Sequence, residues 1–172
     1  VEVLPIAKPA PSTPEDLAYA QIAWTYFKNN TNAVTGLVNS VDGYASTTMW
    51  ETGSYFNAVI SAQKLGIIDR TEAVARISKA MGSLQKLRLF DGILPNKAYN
   101  VETLELVDYA NKPSEKGLGW SALDIGRIVS TLAIVQHNLP ELAPQVSDLM
   151  AGWDLGKMAQ GGGRQAGGFQ RD

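Results

Sequence analysis

Thr48-Met49-Trp50-Glu51-Thr52-Gly53-Ser54-Tyr55-Phe56, running on to Leu65-Gly66, is the segment on which the fold turns. Thr48 followed three residues later by Glu51 has capping-box spacing, in which hydroxyl and carboxylate each satisfy a backbone N–H that the first helical turn leaves open. Gly66 supplies the residue that closes a helix. Between these signals Tyr55, Phe56, Val59, Ile60 and Leu65 cover more than one side. A helix apolar on several sides needs neighbours on several sides, so residues 49–65 predict the interior of a helical domain.

Four further helices follow from the same signals. The first runs from Pro14 to Asn29, with Thr13 as N-cap, Glu15 and Asp16 at the positive end, and Leu17, Ala20, Trp24 and Phe27 as its apolar stripe. The third, 70–87, opens on Asp69 and carries Ala73, Ile77, Met81 and Leu84 on one face. The fourth, 122–137, starts after Ser121 and is apolar nearly all round, which predicts a central position. The fifth follows Pro140, carries Leu142, Val146, Leu149 and Met150, and ends near Gly152.

The connections decide how these helices lie. Those from the second helix to the third and from the fourth to the fifth are short, whereas 30–47 and 88–120 are long. In an antiparallel arrangement both long loops then share one end, and the N-termini of the second and fourth helices lie side by side beneath them. Asp91-Gly92 between apolar pairs predicts a hairpin, and 99–107 a short strand. The expected architecture is all-α, with antiparallel helix pairs of the kind that build α/α toroids. A proline-rich linker (1–12) precedes the helical domain (13–158), and a glycine-rich flexible tail (159–172) follows.

Composition removes several functions. A net charge of −2 without a basic run offers no footprint for nucleic acid or for an anionic membrane surface. No apolar run approaches the roughly 20 residues that span a bilayer, so no membrane insertion is expected. With no cysteine there is no disulfide, thiol nucleophile or thiolate metal site, and no metal or cofactor is expected. The single histidine, His137, fits the C-terminal end of a helix, and no Gly-x-Ser-x-Gly elbow accompanies it. The start at Val1, crowded by prolines, reads as a processed or trimmed terminus.

Chemistry concentrates where loops enter helices. Trp50-Glu51 and Trp120 with Asp124 each place an aromatic ring beside a carboxylate, a stacking face next to a proton donor or acceptor, as sugar chemistry requires. Structural roles stand beside these. Glu51 and Asp124 both occupy the third helical position, where a carboxylate caps or meets the dipole. Trp50 and Trp120 also suit packing. Arg127, three residues after Asp124, either pairs with it and lowers its pKa or binds a hydroxyl or anionic group of a substrate. Asn96, Tyr99 and Asn100 lie in the loop over the mouth, where turn chemistry explains the asparagines as well as ligand binding does.

Several motifs in order, Thr35-Gly36-Leu37-Val38, Thr47 through Gly53, Leu94-Pro95-Asn96, Tyr99-Asn100 and Gly119-Trp120-Ser121 through Arg127, resemble the bacterial domain-of-unknown-function (DUF) family 3131. That family is similar to the glucoamylase-like domains of β-1,2-glucan enzymes. The resemblance implies an (α/α)6 barrel, exported to the periplasm or secreted, with a carbohydrate cleft at the N-termini of its inner helices. The Asp-x-Gly core of the glucan enzymes matches at Asp124 and Gly126, while Arg127 and Glu51 stand where those enzymes have Asn.

A full ring has twelve helices, so the five here resemble the N-terminal half of that domain. The expected half-ring exposes apolar flanks on its first and fifth helices, favouring self-association or a second chain that completes the barrel. The leading reading is a glycoside hydrolase acting on a bacterial β-glucan or related polysaccharide. Glu51 is its general acid, Asp124 its base held ionised by Arg127, and Trp50, Asn96, Tyr99, Asn100, Trp120 and Arg127 contact substrate. A non-catalytic glycan-binding or scaffold module and a helical protein-interaction fragment are the alternatives.

Overall fold

In chain order the elements are α1 (Pro14–Asn30), β1 (Ser46–Thr47), α2 (Met49–Lys64), α3 (Arg70–Leu84), β2 (Tyr99–Asn100), β3 (Gly119–Ser121), α4 (Ala122–Asn138), α5 (Ala143–Ala151), β4 (Ala159–Gln160), β5 (Arg164–Gln165) and β6 (Gly168–Gln170). A 3-10 turn, Pro140–Leu142, leads into α5, and a second, Leu155–Met158, leads into β4. The structure, a computed structural model, describes residues 10–160, 164–165 and 168–170. Most of the expected N-terminal linker therefore lies outside the described residues.

Caps set the helix starts. Thr13 Oγ1 accepts from Asp16 N at 3.2 Å and the Asp16 carboxylate accepts from Thr13 N at 2.9 Å, a reciprocal box at α1. Thr48 and Glu51 form the same box at α2, while Asp69 and Ser121 cap α3 and α4 through their side chains. Each such cap stabilises by about 1 kcal/mol. Gly66, at φ 72°, takes the left-handed turn after α2, and Ile67 N reaches back to Ala62 O at 2.8 Å. α3 stops at Leu84, three residues short of the expected end, because Lys86 N and Leu87 N turn to carbonyls only three residues back, those of Ser83 and Leu84.

α2 and α4 are the principal packed pair, and their cross-links fix their relative direction. Ser54 meets Arg127 at 3.3 Å, Gly53 lies against Ile128, and Asn57 donates to Thr131 at 3.2 Å. Positions four apart on α2 thus face positions about four apart on α4, so the helices run parallel with their N-termini at one end. Arg70 pairs with Glu141 in the turn that leads into α5 and Ser78 with Gln145 within it, so α3 and α5 run parallel to each other. Parallel inner helices with outer helices alternating against them place the core between layers, where Tyr55, Phe56, Val59, Ile77, Met81, Ile125, Ile128, Leu132, Val135 and Val146 are buried.

Both long loops meet at the expected end. β1 pairs antiparallel with β2, Ser46 opposite Asn100 and Thr47 opposite Tyr99. Thr35 Oγ1 donates to Val101 O at 2.6 Å and Val101 N to Ala45 O at 3.1 Å, stitching the two loops together. Asp91 and Gly92, both at positive φ, turn the chain so that Phe90 N reaches Leu94 O, as the Asp-Gly pair predicts.

Several local expectations need correction. The strand expected over 99–107 is only two residues long, because Asn100 Oδ1 accepts from Glu102 N and Thr103 N and Leu104 turns at φ 63°. On α1 only Trp24 of the apolar stripe is deeply buried; Leu17, with neighbouring Tyr19 and Ile22, is exposed because none of the described elements covers the first turns. α4 is not buried all round, since Leu123 is 74% exposed and Ile134 42%. Leu65, expected inside, is also exposed at the end of α2. The uncovered apolar flanks therefore belong to α1 and α4 rather than to α1 and α5. At the C-terminal end, where a flexible tail is expected, β4 pairs with β5 and β6 pairs with β3; the other tail glycines lie outside the described residues.

Candidate functional site

The parallel pair carries Glu51 and Asp124 to the same end. Glu51 lies two residues before Gly53 and Asp124 four before Ile128, the positions where the two helices touch. Both carboxylates are half-buried beneath the joined loops. Glu51 Oε2 accepts from Thr48 N at 3.1 Å and from the Thr48 hydroxyl, which ties one oxygen to the cap. Asp124 N donates to Ser121 Oγ at 3.3 Å. Lys97, whose backbone N–H meets Gly119 O at 2.8 Å, enters the same neighbourhood from the second loop.

Asp124 holds its proton more tightly than an ordinary carboxylate. Burial is the largest cause and the nearby Glu51 charge adds to it, while the Ser121 hydrogen bond and Lys97 act in the opposite direction. The expectation that Arg127 pairs with Asp124 and keeps it ionised is therefore corrected. The Arg127 guanidinium lies over the Trp50 ring, 4.9 Å from its centroid, and donates from Nη2 to Ser54 Oγ. Its Nε is buried without a hydrogen-bond partner. Arg127 reaches across to α2, where an aromatic face and a hydroxyl are both available, instead of along α4 to Asp124.

The family model described as a protein of unknown function, DUF3131, matches residues 18–170. The chain belongs to this family. Among solved structures, this DUF3131 chain is similar to a Bacteroides fragilis protein provisionally described as a glucoamylase, with 20% identity and a TM-score of 0.66, over 90% of this chain and 40% of that one. It is also similar to an endo-β-1,2-glucanase from Chitinophaga pinensis (17% identity, TM-score 0.65, 88% and 39% covered). A β-1,2-glucanase from Parabacteroides distasonis aligns at 18% identity and TM-score 0.61, with 85% and 21% covered. Each likeness shows a shared helical fold of the α/α-toroid type, and the chain spans 40% or less of each neighbour's length. No curated protein matches it.

The remaining residues expected at the mouth of the DUF3131 chain divide by burial. Trp50 is 44% exposed and presents its ring there, whereas Trp120 is 7% exposed and belongs to the core. Asn96 is buried and engaged on both sides: Oδ1 accepts from Leu118 N and Gly119 N, and Nδ2 donates to Ala98 O. The Tyr99 hydroxyl accepts from Asn96 N at 2.7 Å and donates to Arg88 O at 2.9 Å, and burial pushes this phenol well above its usual range. Asn100 braces its own turn and donates to Asn111 Oδ1 at 3.3 Å. Substrate contact by Trp120, Asn96, Tyr99 and Asn100 is accordingly withdrawn, because their polar atoms or rings are spent on holding the loops.

Lys97 and Ser54 were not anticipated. Ser54 is four residues after Trp50 on the same helical face, a spacing that could have flagged it. Lys97 carried no such signal, since 27 residues separate it from Asp124. Four cavities among the described residues are lined by residues other than Glu51 and Asp124.

Proposed function

We propose that this chain forms part of a carbohydrate-active α/α barrel of glycoside-hydrolase type, acting on a bacterial β-glucan or related polysaccharide. The observation that carries this reading is the pair of carboxylates at the shared N-termini of α2 and α4, close enough that the Glu51 charge raises the proton affinity of Asp124. Two carboxylates at one site are the working parts of glycoside hydrolysis, one giving a proton to the departing oxygen and the other acting as base or nucleophile.

The proposal exchanges the acid and base roles expected from the sequence. Asp124, whose proton affinity burial raises, is the general acid; Glu51 is the second carboxylate, its Oε2 engaged in the α2 cap. Trp50 offers a face for a sugar ring, with the Arg127 guanidinium stacked beside it.

The likeness to glucanases and to glucoamylase-like proteins supports the same reading, as does the open surface. Tyr19 and Ile22 on α1 and Leu123 and Ile134 on α4 are apolar and exposed, which suits coverage by a second chain or further segment that completes the ring and walls the mouth. Among the described residues no helix is long and apolar enough to cross a membrane. Action on polysaccharide outside the cytoplasm, in the periplasm or after secretion, belongs to the same proposal.

The test is reducing-end release from linear β-1,2-glucan and related glucans by the chain together with the rest of its barrel, compared with Asp124→Asn. Release that falls by several orders of magnitude while glycan affinity persists supports the mechanism. Equal release by parent and variant overturns it. A glycan-binding module is the second reading, favoured by the engagement of Glu51 in the α2 cap; binding without release by the complete barrel selects it.

A further inference from the structure

A second cleft lies on the other side of α2. Gly53 and Asn57 face α4, whereas Tyr55 points toward the outer helices and meets Phe27 of α1 at 5.8 Å between ring centroids. There, between the end of α1, the loop that follows it and α3, a cavity of about 380 Å³ is lined by Lys28, Tyr55, Glu72, Arg76 and Lys79, with Gly36 in the loop wall. That volume suits a small metabolite.

Its charged groups are mostly cationic. Three cations face one carboxylate. Arg76 is held in place rather than free to swing: Nε donates to Glu72 at 2.8 Å, Nη2 pairs with the same oxygen at 2.7 Å, and the guanidinium lies 5.2 Å from the Trp24 ring centroid. Lys79 Nζ donates to Ala33 O at 2.8 Å, and its stem packs over Gly36, where a side chain would collide with it. Guanidinium and ammonium groups fixed in this way are preorganised donors.

The Tyr55 hydroxyl is the decisive feature. Tyr55 is fully buried, and its oxygen makes no aligned hydrogen bond. It sits close enough to Arg76 to favour the guanidinium charge, so its oxygen faces a donor and its own proton is left over. A buried donor without an acceptor costs roughly 1–3 kcal/mol, and the complement of a phenol proton beside an arginine is an oxyanion. We infer that this outer cleft binds a sugar-sized anion, a molecule carrying a carboxylate or phosphate, through Arg76, Lys79 and the Tyr55 hydroxyl. The site is separate from the mouth between α2 and α4, and it does not depend on the proposed glycan chemistry.

Calorimetric titration of the chain at low ionic strength with glucose 6-phosphate, glucuronate, inorganic phosphate and glucose tests the inference. Saturable binding of at least one acidic sugar over glucose, weakened by added salt, is expected. Tyr55→Phe retains the ring contacts with Phe27 and Phe56 and removes only the donor; it should weaken that binding by about tenfold. Lys79→Met keeps most of the stem at an exposed position and should weaken it as well. Circular dichroism of both variants checks that the fold is intact. No saturable binding of either acidic sugar, equal affinity for glucose, uptake of inorganic phosphate alone, or unchanged affinity in Tyr55→Phe would each overturn the proposal.

Discussion

Replacing Gly53 with alanine tests the helix pair on which the site depends. A methyl at this position would lie 3.2 Å from Arg127 Cγ, 3.3 Å from Ile128 Cα and 3.4 Å from Ile128 N. The arginine stem can swing aside, but the Ile128 backbone moves only if α4 moves. Alanine favours a helix over glycine by roughly 1 kcal/mol, and overpacking costs roughly 1–3 kcal/mol, so the net expectation is a destabilisation of about 1 kcal/mol. Gly82 in α3 is the control, because a methyl there meets nothing within 4 Å and only the propensity gain, about 0.5–1 kcal/mol, remains. For a chain of this size 1 kcal/mol moves Tm by roughly 2–4 °C. Thermal unfolding followed by circular dichroism should therefore place Gly53→Ala below the parent and Gly82→Ala above it. If Gly53→Ala melted as high as Gly82→Ala, α2 and α4 would not meet at Gly53, and the carboxylate placement would lose its basis.

Thr48→Ala removes the hydroxyl half of the α2 capping box, leaving the backbone N–H of residue 48 to donate to Glu51, and should cost about 1 kcal/mol in denaturant unfolding, with no change in the slope of the transition. Gly126→Ala, where a methyl meets nothing within 4 Å, should raise stability by about 0.5–1 kcal/mol in the same assay. For Asp124 the folded-state pKa is raised, so the folded chain binds more protons than the unfolded chain between the ordinary value of 3.8 and the raised one. Stability contributed by this group is greatest below 3.8 and falls as pH climbs through the raised value. Asp124→Asn removes that dependence, so unfolding measured across acidic pH should show the variant gaining on the parent as pH rises through this window.

Sequence carried the fold well where a local signal and the tertiary demand coincide. Thr48 with Glu51, Gly66, Asp69 and Ser121 mark helix ends because caps are made within one turn of chain. Loop lengths then sufficed to bring Glu51 and Asp124 to one end. What stayed hidden depends on partners distant in sequence. The exposure of Leu17, Ile22, Leu123 and Ile134 reflects which neighbours are absent, and periodicity does not report that. Arg127 illustrates the same limit: three residues from Asp124 it looks like an ion-pair partner, yet Trp50 and Ser54 on the adjacent helix hold it. Asn96 and Tyr99 look like ligand-binding residues because they are polar and lie in a loop, but that loop is folded down far enough to bury them.

The coupling between Glu51 and Asp124 is the most direct measure of the account. Carbon-detected NMR of the side-chain carboxyls, titrated through the acidic range, gives the Asp124 midpoint in the parent and in Glu51→Gln. The substitution keeps the side chain's shape at the cap and removes a like charge, so the Asp124 midpoint should fall toward the ordinary carboxylate value, with the part due to burial remaining. An Asp124 midpoint already at the ordinary value in the parent, or one unmoved by Glu51→Gln, would show that the two carboxylates do not share a mouth.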